Sequence, residues 1–382
     1  MKGMNTLGNI YLDHAATTPM HPLVIKEMMA IMEGTFGNPS SIHGFGRMAH
    51  EKLENARQIV ADSLHVHPHE IIFNSGGTEG DNTAIIETAF SRQNEGKHLI
   101  TTVIEHPAVL NTMKYLEKKG FEVTYLPVDQ KGNISIADFR SALREDTILV
   151  SIMYGNNEIG NLLPIKEIGG ILREHPAYFH TDAVQAYGNQ TIHPQELGID
   201  LLSISGHKIN GPKGIGFLYK RDGVNIPPLL LGGEQEEKRR AGTENLAGIC
   251  GLAKAVEILT LEEREARNKK YLGFQQLILD KLTENEIEYA INGDLTNKLP
   301  HVLNLRIPGI VNDLLLMKLD LQGFAISIGS ACTAGNIEPS HVLEAMYGKG
   351  TPFLKESIRI SFGYGNTEEE VQRFADGLVK AI

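Results

Sequence analysis

The stretch Ser203-Ile-Ser-Gly-His-Lys208 is a β-rich run that ends abruptly in small and polar residues and a single lysine. Upstream, Asp182 ends a second β-rich run, Ala177-Tyr-Phe-His-Thr181. If the two runs form neighbouring strands, the acid and the lysine can face one pocket. A lysine at a strand end is more often a solvated surface ammonium. The pairing with Asp182 is what favours a functional role for Lys208.

The chain around this stretch alternates between helical periodicity and short β-rich runs, which is typical of a layered α/β domain. Helix-like segments between the runs can supply the crossovers that parallel strands require. We therefore predict a central, mostly parallel sheet of seven strands. These strands are placed at residues 71–74, 98–103, 123–127, 148–153, 178–182, 201–205 and 216–219.

A smaller α+β domain is predicted from the later part of the chain. Residues 245–285 have the pattern of a long helix with a break near Thr260, and predicted strands follow at 302–307, 325–328 and 358–362. Thr367 is a suitable N-cap for a last helix over 368–382, because glutamates fill its first turn. We place the large domain at residues 16–258 and assign residues 1–15 and 259–382 to the small domain.

Composition excludes several classes of function. The 382 residues carry 36 Lys and Arg against 47 Asp and Glu, a net charge of −11, so direct binding of nucleic acid is not expected. With only two cysteines, Cys250 and Cys332, no disulfide framework can be read, which favours a reducing, cytoplasmic location. No apolar run approaches the ~18 residues of a membrane span, and the N-terminus lacks the apolar core of a signal peptide.

The lysine and acid suit pyridoxal phosphate, whose aldehyde bonds a lysine and whose ring nitrogen needs an acid to stay protonated. A carboxylate about 4 Å from that nitrogen contributes ~4 kcal/mol at an effective dielectric of 20. The segment Ser75-Gly-Gly-Thr-Glu79, between a strand and a helix, could cradle the phosphate through Gly77 and Thr78. Ser205 and His207 could add donors, although a plain capped helix start remains the alternative for this segment.

Eight motifs stand in order between residue 10 and about residue 370: Tyr11-Leu-Asp-His-Ala-Ala-Thr-Thr-Pro19, Gly37-Asn-Pro-Ser-Ser41, Glu105-His106, Asn156-Asn-Glu-Ile-Gly160, Asp182 to Gln185, Ser205-Gly-His-Lys208, Arg240-Ala-Gly-Thr-Glu244 and Gly329-Ser-Ala-Cys-Thr333. Together they closely resemble cysteine desulfurases of the NifS/IscS type, within the class-V aminotransferases. The resemblance implies a fold-type I pyridoxal-phosphate homodimer that converts L-cysteine to L-alanine and leaves a persulfide on the enzyme.

The resemblance also implies roles for individual residues. Lys208 matches the lysine that bonds the cofactor, Asp182 the partner of the ring nitrogen, and His106 the imidazole that stacks on the ring. The remaining matches are Gln185 and Asn157 near the phenolic oxygen, Thr78, Ser205 and His207 at the phosphate, Thr243 at the phosphate of the neighbouring subunit, and Arg359, assisted by Asn38, at the substrate carboxylate.

The two cysteines are expected to differ in role. Cys250 has apolar neighbours at helical spacing and is assigned to packing. Cys332 lies in Gly329-Ser-Ala-Cys-Thr-Ala-Gly335, a run of small residues that predicts a mobile loop. It matches the cysteine that forms the persulfide, and a nearby cation or His106 would have to favour its thiolate.

Several functions remain open at the level of sequence. Lys208 and Asp182 would equally suit an aminotransferase or a selenocysteine lyase, and a sulfur-relay adaptor that mainly docks partners is a further alternative. The sulfur acceptor is expected to be a tRNA thiouridylase, on the resemblance of residues 153–157 and 232–236 and the lack of a long C-terminal tail, with an iron–sulfur scaffold as the alternative. No metal site is expected, because Pro68 interrupts the histidines of His65-Val-His-Pro-His69.

Overall fold

The computed structural model describes residues 9–328 and 339–382. Its strands are β1 (Ile10–Tyr11), β2 (Ile71–Asn74), β3 (His98–Thr102), β4 (Glu122–Leu126), β5 (Thr147–Ser151), β6 (Tyr178–Asp182), β7 (Leu201–Ser205), β8 (Gly216–Lys220), β9 (Ala290–Ile291), β10 (Val302–Arg306), β11 (Phe324–Ala325) and β12 (Ser357–Ser361).

The helices in the same ranges are α1 (Pro22–Gly34), α2 (Gly44–Leu64), α3 (Gly77–Asn82), α4 (Thr88–Ser91), α5 (Pro107–Glu117), α6 (Ile136–Ala142), α7 (Ile165–Leu172), α8 (Pro194–Leu197), α9 (Gln235–Lys238), α10 (Leu246–Ile258), α11 (Leu261–Glu284), α12 (Asn312–Leu321), α13 (His341–Tyr347), α14 (Phe353–Glu356) and α15 (Glu368–Ala381). A π-helical segment, Thr83–Glu87, joins α3 to α4.

The large sheet has seven strands in the order β2-β8-β7-β6-β5-β3-β4. Neighbours from β4 to β7 pair in parallel, whereas β8 is antiparallel to both β7 and β2. The predicted α/β class with a mostly parallel seven-stranded sheet is therefore confirmed. Every residue of β5 and β7 is buried, as expected for inner strands covered by helices on both faces.

The later part of the chain forms two smaller sheets. β10 pairs antiparallel with both β12 and β9, and β1 pairs in parallel with β11. The predicted break near Thr260 is confirmed, since Thr260 caps α11 by accepting the N–H of Glu263 at 3.2 Å. Thr367 and Glu370 form a capping box at the start of α15.

Two main hydrophobic cores accompany these sheets. The first surrounds the large sheet and includes Phe179, Ile204 and Phe217, and the second includes Phe274 and Phe374 with the small sheets. Val342, Leu343 and Met346 of α13 pack in the first core, so the chain returns to the large sheet after residue 338. The division at residues 16–258 stays a prediction. No helix among the described residues is long and apolar enough to cross a membrane.

Candidate active site

A cavity of about 800 Å³ lies between the large sheet and the two smaller sheets. Most of the residues that the sequence singled out lie on its wall. These are Gly77, Thr78, His106, Asn157, Asp182, Gln185, Ser205, His207, Lys208 and Arg359. They come from loops or strands far apart in sequence, and the carboxyl ends of β6 and β7 bring the central pair together.

Lys208 closes a single 3₁₀ turn directly after β7, and Asp182 is the last residue of neighbouring β6. The Lys208 ammonium donates to the carbonyl oxygens of Ala15 and Ala16 at 2.5 and 2.9 Å. Burial, reinforced by the charge of Arg359, lowers the Lys208 pKa to about 8. The free amine that bonding to an aldehyde requires is therefore accessible near neutral pH.

Asp182 is buried, and its Oδ1 accepts the backbone N–H of Val184 at 2.9 Å. Burial raises the Asp182 pKa, and the charges of His106 and Lys208 oppose that rise. A cationic ring nitrogen beside Asp182 would supply the counter-charge that a buried carboxylate needs.

The segment before α3 forms a cradle of backbone. Gly76 has a φ of 138°, in the region that favours glycine. A Cβ on Gly77 would come within 2.8 Å of Val184 Cγ2, and one on Gly76 within 3.2 Å of Ser205 Oγ. The first N–H groups of a helix have no intrahelical acceptor, so this close-walled helix start suits a phosphate.

Two histidines on the cavity wall are held as neutral rings. His106 is the N-cap of α5, and its Nδ1 accepts the N–H of Ala108 at 3.1 Å. Desolvation lowers the pKa of His106, and burial lowers that of His207 to about 4. A neutral His106 ring is suited to stacking on a flat cofactor, and its Nε2 is the nitrogen left to exchange a proton.

Arg359 lies within β12 and is buried, yet it lines the cavity. Its Nη1 donates to the carbonyl oxygen of Asn157 at 3.0 Å, so the loop carrying Asn157 orients the guanidinium. A planar guanidinium at a cavity wall is suited to a carboxylate ligand.

Two predicted residues are not brought to this cavity. Asn38 is exposed between α1 and α2, where its Oδ1 accepts the N–H of Ser40 at 2.9 Å. Thr243 is exposed and lines a separate, smaller cavity with Ser75. Cys332 lies outside the described residues. Neither Asn38 nor Thr243 therefore reaches the Lys208 cavity of its own chain.

Sequence reasoning missed acidic groups on the same wall, notably Asp81. Asp81, His106 and Asp182 place one ligand atom each within 4.8 Å of one another, the only such group of three within the described ranges. Burial, followed by the charge of Asp182, raises the Asp81 pKa well above its ordinary value, which favours a neutral acid over a metal ligand. Its position one helical turn after Thr78 was the available signal.

The features of this wall fit pyridoxal phosphate. One cavity contains an amine with a lowered pKa, a buried acid without a full counter-charge, a neutral imidazole and the first turn of α3. Lys208 would bond the aldehyde, Asp182 would face the ring nitrogen, and Gly77, Thr78, Ser205 and His207 would hold the phosphate.

Comparisons with known proteins give the same assignment. Residues 10–374 match the class-V aminotransferase family. A protein of Bacillus subtilis (strain 168), whose name places it among the IscS cysteine desulfurases, is 55% identical over 373 residues, covering 98% of each chain. A solved structure described as a NifS-like protein matches with a TM-score of 0.91 and 37% identity, covering 97% of this chain and 98% of that one. A structure described as SspA in complex with cysteine matches with a TM-score of 0.80 and 38% identity over 92% of this chain and 98% of that one.

Proposed function

The chain belongs to the class-V aminotransferase family of fold-type I pyridoxal-phosphate enzymes, and we propose that it is an L-cysteine desulfurase. The resemblance read from its motifs is confirmed at the level of the family. One observation carries the proposal: the amine of Lys208, the carboxylate of Asp182 and the guanidinium of Arg359 line one cavity. A cavity with these three groups can hold a small amino acid against a cofactor.

Bound pyridoxal phosphate supplies an electron sink for the negative charge that develops on the substrate Cα. Lys208 would hold the cofactor, and its amine is placed to take the Cα proton of the substrate. Asp182 keeps the ring nitrogen protonated, because a buried carboxylate favours a cation beside it. Arg359 would orient the substrate through its carboxylate, and His106 would contact the cofactor ring with its Nε2 available for proton transfer.

Cys332 is proposed to act on the substrate sulfur. Its thiolate attacks the sulfur of L-cysteine, an S–S bond forms, and the C–S bond breaks with its electron pair left on carbon. Protonation at that carbon yields L-alanine, and the persulfide remains on Cys332. The reaction therefore balances without an external oxidant or reductant until an acceptor takes the sulfur.

The test uses purified protein loaded with pyridoxal phosphate. Incubation with L-cysteine and a thiol reductant should release L-alanine and sulfide in equal amounts. L-alanine formed only when pyruvate is added, together with 3-mercaptopyruvate and without sulfide, would instead identify an aminotransferase. Activity confined to selenocysteine would identify a lyase, and a change in visible absorbance with no product would leave an adaptor role.

We further propose that the enzyme is a homodimer. Large apolar side chains are exposed along α1 and the segment that joins it to α2, including Met32 at 60%, Phe36 at 76% and Ile42 at 91%. Large exposed apolar side chains concentrated in one segment of the chain are typical of an interface, and a second copy would cover them. Thr243 is exposed and lies outside the Lys208 cavity of its own chain, which supports a hydrogen bond from its hydroxyl to the cofactor phosphate bound in the second subunit.

Mixing two inactive variants tests the shared site. Lys208→Ala and Thr243→Ala chains, mixed under conditions that exchange subunits, form heterodimers in which one of the two sites holds both residues. Activity above that of either parent supports the shared site. Two affinity tags show whether subunits have exchanged. If they have, the Thr243→Ala parent is inactive and mixing restores no activity, each site is built from one chain.

The sulfur acceptor is proposed to be a tRNA thiouridylase, in a cytoplasmic setting. The net charge of −11 supports a division of labour in which a partner enzyme holds the tRNA. An iron–sulfur scaffold is the alternative. Depletion in the source cell separates them: loss of 2-thiouridine with normal iron–sulfur enzyme activities supports the tRNA route, and the opposite pattern excludes it.

A further inference from the structure

His301, which lies just before β10, contacts the cavity wall from behind. Its Nε2 is 3.3 Å from Oε1 of Gln185, and both side chains are buried. On its other side, the Gln185 amide donates through Nε2 to the carbonyl oxygen of Ala15 at 3.0 Å. The same carbonyl accepts the ammonium of Lys208 at 2.5 Å. One hydrogen-bonded chain therefore connects His301, Gln185 and Lys208.

The chemistry of these partners leaves a single arrangement of donors. The carbonyl of Ala15 can only accept, so the NH₂ group of Gln185 faces it and Oε1 faces His301. Because Oε1 can only accept, the Nε2 of His301 must carry a hydrogen. The Nε2–H of His301 therefore holds the Gln185 amide in the orientation that the Ala15 carbonyl sets.

The surroundings of His301 keep this arrangement in place. Burial, reinforced by His14, Lys208 and Arg359, the charged and titratable groups that face the ring, lowers the His301 pKa to about 3. The ring is therefore neutral with one N–H. Its Nδ1 is buried without a hydrogen-bond partner among the described residues, and His301 lines a cavity of about 30 Å³ together with His14. That volume is sufficient for a water molecule.

Gln185 lines both this small cavity and the large one, as Lys208 does. One of its two amide hydrogens is committed to Ala15, which leaves the other for a ligand. We propose that His301 is a positioning residue: its Nε2–H fixes the Gln185 amide so that an N–H of Gln185 faces the phenolic oxygen of the cofactor. This inference rests on the proposed function for the identity of that cofactor.

The test compares two amide substitutions of His301 in the protein loaded with pyridoxal phosphate. In His301→Gln the amide nitrogen takes nearly the place of Nε2, whereas in His301→Asn it is too short to reach Gln185. Without added cysteine, the visible absorbance is titrated against pH. His301→Asn should raise the titration midpoint by about one pH unit, because the ionised phenolic oxygen loses a donor. His301→Gln should stay near the wild-type midpoint.

Repeating the comparison in a Gln185→Leu variant distinguishes a role of His301 in positioning Gln185 from a role in packing alone. In Gln185→Leu, which itself raises the midpoint, His301→Asn should add no further shift. An equal shift in both backgrounds, or a lowered melting temperature in both His301 variants with an unchanged midpoint, would overturn the positioning role. If His301→Asn does not fold, His301→Leu takes its place in the same comparison.

The titration also distinguishes this inference from the proposed function. A wild-type protein that shows the visible absorbance of bound cofactor but makes no L-alanine from L-cysteine contradicts the desulfurase assignment and still reports the midpoints. A wild-type protein that gains no visible absorbance with pyridoxal phosphate contradicts the cofactor assignment before any His301 variant is made.

Discussion

Arg359 donates through Nη2 to Oδ1 of Asp13 at 2.7 Å, so the guanidinium at the cavity wall is already paired with a carboxylate. The Arg359 side chain is 5% exposed and the Asp13 side chain is 21% exposed, so both are largely buried. The Asp13 carboxylate shows that the guanidinium is placed to bind an anionic group from the cavity side. A substrate carboxylate would share or replace this contact.

Replacing Arg359 by lysine should weaken substrate binding more than turnover. Lysine keeps the charge but loses the planar fork, so we expect KM for L-cysteine to rise at least tenfold, about 1.4 kcal/mol, with a smaller change in kcat. Steady-state kinetics measure both. Arg306→Lys is the matched control, because Arg306 pairs with Glu356 and does not line the cavity. Equal kinetic effects of both substitutions would exclude a specific role for Arg359.

Lys208 should be the lysine that holds the cofactor. Lys208→Ala is expected to abolish turnover and the borohydride-stable attachment of pyridoxal phosphate while the fold persists. Lys213→Ala serves as control, since Lys213 lines the same cavity but lies farther along the connection between β7 and β8. Peptide mapping after borohydride reduction identifies the modified residue. Label on Lys213, or on any other lysine, would show that the assignment is wrong.

The two cysteines should respond differently to substitution. Cys250 is buried on α10, and burial raises its thiol pKa to about 11, so it stays protonated and unreactive at neutral pH. Cys332→Ser should still bind the cofactor and change its visible absorbance with L-cysteine, yet release no sulfide. Cys250→Ser should retain activity. Normal sulfide release by Cys332→Ser would rule out its role as nucleophile.

Glu105 should make the protein less stable as pH rises. Its buried carboxyl has a pKa raised by burial to about 8, while it accepts from the N–H of Met153 at 3.0 Å. A carboxyl that is protonated when folded and ionised when unfolded contributes stability below its unfolded pKa. That stability is lost as pH rises towards 8, with a slope of up to about 1.4 kcal/mol per pH unit.

Glu105→Gln should therefore flatten the dependence of the unfolding free energy on pH between 5.5 and 8, because the amide cannot ionise. Denaturant titrations at several pH values measure this slope. Exposed Glu145→Gln is the control and should leave it unchanged. A slope in Glu105→Gln as steep as in the wild type would place the titrating group elsewhere.

Local pattern predicted much of the fold. The strands of the large sheet lie within one or two residues of their predicted positions, because alternation and helical periodicity are properties of short segments. The break at Thr260 and the cap at Thr367 were readable because a capping side chain acts on its own first turn. The helix-like segments between the β-rich runs did not include α1, which precedes the first run and whose exposed apolar residues do not form a stripe facing a core.

The sequence by itself determined the family, the cofactor chemistry and which residue types would form the site, since these depend on motifs whose members lie close together in the chain. Only the tertiary structure decided which side chains meet across long separations. The contact between Gln185 and His301, the pairing of Arg359 with Asp13 and the exposed position of Thr243 are of this kind. They depend on how distant strands and loops are packed together, and no local pattern contains that information.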